Sequence, residues 1–161
     1  MVRLADTLTS RFDVDRQEGD VERLVEVRRE LVGREDLAER VGDPAVTWAR
    51  FGRALLFQWE EDPVANAGNL GEFLTAMETC LGLSSESRPY WFAWLADGGN
   101  AHLLAYLNGL PNADLSLAID RARAVLTSGD AEDHDRLLPA LRRLAGQEHR
   151  SVAAEQPVGL R

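Results

Sequence analysis

At 161 residues, 45% of them hydrophobic, the chain is long enough for one compact domain that buries roughly two thirds of its unfolded surface. Its 27 acidic against 18 basic side chains leave a formal charge of −9, which repels phosphate backbones and anionic membrane surfaces and argues against nucleic acid and membranes as partners. No stretch approaches the roughly 18 apolar residues of a membrane span, and Met1-Val2-Arg3-Leu4-Ala5-Asp6 puts an acid where a secretion signal needs an apolar core, so a cytoplasmic location is expected.

In chain order, Leu4, Ala5, Leu8 and Phe12 fall at helical spacing and predict a first helix over about 2–15. Asp20 then precedes an apolar stripe of Val21, Leu24, Val25, Leu31 and Val32, broken by Arg28, which predicts a helix over 20–32 ended by Gly33. Asp43-Pro44 supplies a cap and a first-turn proline for a helix over 44–61, carrying Trp48, Phe51, Gly52, Leu55 and Trp59. Asn69 introduces Leu70, Phe73, Leu74, Met77, Cys80 and Leu81 over 69–82, closed by Gly82. After Ser87-Arg88-Pro89 comes the densest aromatic run, Tyr90-Trp91-Phe92-Ala93-Trp94, opening a helix over 89–108. Trp91 and Phe92 share a stripe with Leu95 and Gly99 and read as core, whereas Tyr90 and Trp94 project off it, toward a partner or a neighbouring helix. Asp114 precedes Leu115, Ala118, Ile119, Ala122, Val125 and Leu126 over 114–127. A seventh helix over 134–149 carries Leu137, Leu138, Leu141 and Leu144, with a kink or late start expected at Pro139, and 151–161 reads as a flexible tail.

These elements repeat. Phe12, Trp59 and Tyr106 stand 47 residues apart, and Ala5, Gly52 and Gly99 occupy one small-residue position, where two helices of a hairpin approach closely. The second helices align at offsets 0, 3, 4, 7, 10 and 11, with Arg28 the one charge among the aligned positions. Trp48, Phe51, Gly52 and Leu55 resemble the first-helix signature of tetratricopeptide repeats, W-x2-L-G-x2-Y, with the last aromatic replaced. The 47-residue period exceeds that family's usual 34, and the chain looks most similar to long, degenerate repeats of actinobacterial proteins. The all-Arg basic complement and the single Ile agree with a GC-rich genome.

The resemblance implies an all-α superhelix of about three and a half hairpins, seven helices in one domain over 1–150, with a concave groove lined by the first helices. Carried onto this chain, that groove contains Ala49, Arg53, Leu56 and Phe57 from the second copy and Asn100 and Leu104 from the third. Arg53 and Asn100 occupy equivalent positions and would meet an acceptor on a bound segment, with Phe57 and Leu104 as apolar anchors. The function expected is an adaptor or scaffold for another protein or peptide, a homodimer being left open. The alternative is an acidic inhibitory or immunity-type protein that masks a basic enzyme.

No catalytic residue, cofactor or metal is expected. The chain has no G-x-S-x-G, GxxxxGK[ST], H-E-x-x-H or C-x-x-C. The acidic run Glu132-Asp133-His134-Asp135 reads as a helix start answering the helix dipole, His102 as a core residue, and Cys80 as a reduced thiol packed as a small hydrophobe.

Overall fold

The computed structural model describes residues 19–137 together with 141 and 142. The expected helix over 2–15, Pro139 and the tail over 151–161 lie outside the described residues. Every regular element among the described residues is helical: α1 (Asp20–Val32), α2 (Leu37–Arg40), α3 (Pro44–Glu61), α4 (Asn69–Gly82), α5 (Trp91–Leu107), α6 (Leu115–Ser128) and α7, over 131–137. None of these helices is long and apolar enough to cross a membrane.

The starts of α3 and α6 follow from single side chains. The Asp43 carboxylate accepts from Ala45 N at 3.1 Å ahead of Pro44, and Asp114 accepts from Leu117 N at 3.0 Å, each satisfying a backbone donor that the first turn leaves unpaired. Asp20 and Asn69 act differently from the caps expected of them. Asp20 is buried inside the first turn of α1, which begins instead at Gly19 with φ 84°, a left-handed conformation that glycine adopts at no steric cost. The Asn69 amide points at α3 and donates to Gln58 Oε1 at 2.8 Å. Gly33 also differs from the expected left-handed C-terminal residue: its φ is −75°. Asp130 and Asp133 cap α7 reciprocally, each carboxylate accepting the other residue's backbone N–H, at 3.2 and 3.0 Å.

Each long helix packs on the next along the chain: α1 on α3, α3 on α4, α4 on α5 and α5 on α6. Gly52 is a point of close approach between α3 and α4. A Cβ there would lie 2.9 Å from Met77 Sδ and 3.2 Å from the Phe73 ring. The main core gathers Leu24, Val25 and Val27 of α1, Phe51, Leu55 and Trp59 of α3, Leu70, Phe73, Met77 and Cys80 of α4, and Trp94 and Leu104 of α5. The apolar stripes of α1 and α4 are buried, but that of α6 is only half so. Ala118 and Val125 face α5, while Ile119 and Leu126 remain 43% and 56% exposed on its shoulder.

Helix α5 is the most enclosed element, buried almost continuously from Ala93 to Ala105. Its small residues Ala96, Gly98, Gly99 and Ala101 let neighbours approach on several sides, so it has little solvent face left. Its polar side chains Asp97, Asn100 and His102 are therefore carried inward and need partners there.

Candidate functional site

A recess of about 290 Å³ opens between α3, α5 and α7, lined by Val46, Ala49, Arg50, Arg53, Tyr90, Ala93, Trp94, Asp97 and Arg136. Helical spacing explains the α3 wall, since residues 46, 49, 50 and 53 fall on one face. On the α5 side the Tyr90 and Trp94 rings lie 6.0 Å apart at 40°, Tyr90 exposed and Trp94 turned into the core. The Arg53 guanidinium lies 5.6 Å from the centroid of the Phe57 ring, one helical turn on.

Buried polar groups form the floor. Arg136 Nη1 donates to Asp97 Oδ2 at 3.3 Å, and Asn100 Nδ2 donates to the Arg136 carbonyl at 2.6 Å, so two bonds tie α7 to α5. Beneath them Leu137 packs with Ala96 and Val125. Burial pushes the Asp97 carboxyl above its ordinary range; the charges of Arg136 and Arg53 and the Arg136 hydrogen bond pull the other way, and nearby Asp133 adds to the rise.

Of the eight binding residues expected from the sequence, Ala49, Arg53, Tyr90 and Trp94 meet in this recess. The other four are elsewhere. Asn100 is turned inward to Arg136, and Leu104 is 3% exposed within the main core, so neither is presented as a donor or anchor. Leu56 and Phe57 are half-buried beside the opening's α3 wall, outside its lining. Trp94 is buried against neighbouring helices, one of the two outcomes expected for it, whereas Trp91 and Phe92, expected in the core, are only half-buried, because α5 is packed on both flanks and its apparent outer face meets α3 and α7.

Asp97 and Arg136 escaped the sequence reading. An acid inside the apolar run 91–105 is a local signal that a buried partner exists. Arg136, 39 residues further on, carries no such mark.

A second recess, of about 310 Å³, is lined by Gly71, Leu74, Thr75, Glu78, Thr79, His102, Leu110, Pro111 and Asn112. Here His102 Nδ1 accepts the Asp114 N–H at 3.1 Å, which places the ring proton on Nε2, donated to Glu78 Oε1 at 3.2 Å. In the acidic run near 132–135, Asp133 caps α7, Glu132 lies 3.6 Å from Arg136, and His134 Nε2 donates to the Val125 carbonyl at 3.1 Å. Among the described residues no group of three or more His, Cys, Asp and Glu is arranged to hold a metal ion.

No protein-family model, no curated protein and no solved structure matches the chain.

Proposed function

We propose that the chain is a cytoplasmic adaptor that docks a segment of a partner protein, and that its helices are stacked in a tetratricopeptide-like superhelix with the α3/α5/α7 recess as the docking point. The observation that carries this reading is the recess itself: an opening that combines apolar side chains, an exposed tyrosine and several guanidinium groups, assembled from three separate helices. Such a mixture of aromatic and arginine side chains is typical of the residues that dominate binding energy at protein interfaces. Order along the chain supports the stacking, because each long helix packs on its successor.

The test is capture of partners on immobilised protein, comparing wild type with Arg53→Glu and Tyr90→Ala. Both residues are exposed, so both variants should keep the wild-type melting curve to within about 0.5 kcal/mol of stability. A partner retained by wild type should be lost by both. A partner retained equally by all three removes the recess from the interaction. If that partner's retention also falls steeply with salt, the contact belongs to the acidic surface.

A further inference from the structure

We propose that the recess selects its partner by an acidic side chain, taken up by Arg53 of α3 and Arg136 of α7 while the aromatic pair Tyr90 and Trp94 receives an apolar residue next to it. This rests on the docking reading above and gives the partner a chemistry.

Charge complementarity is the first argument. Three guanidinium groups line the opening against one carboxylate, Asp97, in a chain whose formal charge is −9. Arg53 is exposed and makes no ion pair among the described residues; it rests over the Phe57 ring. A guanidinium attracted to a ring through its charge keeps N–H groups from which a carboxylate can accept. Arg136 lies 3.3 Å from Asp97 and 3.6 Å from Glu132, and among the described residues its buried Nε has no hydrogen-bond partner, so the guanidinium keeps donor capacity for an entering carboxylate while it still holds Asp97.

Size and polarity narrow the occupant further. About 290 Å³ is at the small end of ligand sites and holds one or two side chains. Val46, Ala49 and Ala93 offer no hydrogen bonds, and Tyr90, 62% exposed, presents a ring against which an aromatic or aliphatic side chain can lie.

Asp97 adds a proton linkage. It is faced by Arg53 from α3 and by Arg136 and Asp133 from α7, and Arg50 lines the same opening. A negative charge entering beside it raises its proton affinity further, so binding favours proton uptake and tightens as pH falls, down to the range where the ligand's own carboxylate protonates.

The experiment uses blocked peptides, acetylated and amidated, with one glutamate beside one phenylalanine, followed through the Trp94 indole resonance. Controls carry glutamine for glutamate, or glutamine with a free C-terminal carboxylate. The glutamate peptide should bind wild type at least about tenfold more tightly than its glutamine counterpart, and Arg53→Gln should abolish the preference. Affinity should rise as pH is lowered, until the peptide's own glutamate protonates, and Asp97→Asn should remove that dependence. Equal binding of glutamate and glutamine peptides overturns the acid selection and leaves docking intact. A preference for the free C-terminus overturns it in favour of a chain end. If no peptide moves the Trp94 signal, acid selection is again overturned, and docking is then judged by the captured partner alone.

Discussion

The Arg121 guanidinium on α6 grips the Glu78 carboxylate on α4 with both terminal nitrogens, the second at 3.0 Å, across the backbone of α5. Gly98 makes the passage: a Cβ there would lie 2.9 Å from Arg121 Nη1 and 2.8 Å from Leu81 Cδ1. His102 on α5 donates to the same carboxylate, so three consecutive helices converge on one acid.

That convergence has a pH signature. Burial raises the Glu78 carboxyl, but the Arg121 hydrogen bonds and charge, with His102 added, outweigh it and hold it below its ordinary range. A depressed carboxylate stabilises the fold above its unfolded value, about 4.3, and the contribution fades as pH falls through the folded value. Arg121→Gln should therefore lower stability at neutral pH by about 1 kcal/mol, modest because Glu78 keeps 42% of its side chain exposed. It should also flatten the loss of stability on acidification; chemical denaturation at a series of pH values measures both.

Gly52→Leu should separate α3 from α4. The new side chain meets Met77 Sδ and the Phe73 ring, which sit in a filled core, so a cost of about 2–3 kcal/mol is expected by urea denaturation. Gly68→Ala, where a Cβ meets nothing within 4 Å, serves as the control and should change stability little.

How far the sequence carried depends on what each feature rests on. The bounds of α1, α3 and α4 coincide with the expected 20–32, 44–61 and 69–82; the apolar stripe marks all three, and at α3 the Asp43 cap and Pro44 act as expected as well. Helix α2 carries no periodic signal, since four residues are too few to show one. Helix α7 begins at 131 rather than 134, its start set by the Asp130 and Asp133 caps. The Gly52 contact was legible as a recurring small residue. The recess was half legible: Ala49 and Arg53 share a helix face, and Tyr90 and Trp94 lie one turn apart, but Arg136 arrives through tertiary packing that no local spacing encodes.

Leu137→Ala should cost about 2–3 kcal/mol, because Leu137 is 2% exposed and holds α7 against Ala96 and Val125. Thermal melting gives the cost. The same variant should loosen Arg136 and so weaken partner capture, whereas Leu126→Ala, at an exposed position, should leave both nearly unchanged.

Cys80 should be inert in the folded protein. It is fully enclosed, and burial, with the charges of Asp97 and Asp43 added and the Ala49 backbone bond opposing, pushes its thiol up to about 12. Maleimide should label it only as fast as the core opens, and at once in denaturant. Rapid labelling of the native protein would contradict this enclosure.

Packing in chain order also shapes how the molecule opens. Contacts made mainly between successive helices let an end come away without disrupting the centre, so amide exchange should follow position along the chain rather than one global event. Helices α3 and α4, joined at Gly52 and each backed by a further neighbour, should exchange last, while α6 and α7 exchange earlier. The recess between α3, α5 and α7 would then lie on the boundary between a slow-exchanging wall, α3, and a faster one, α7, and a segment bound across it, as proposed, should slow exchange chiefly in α7.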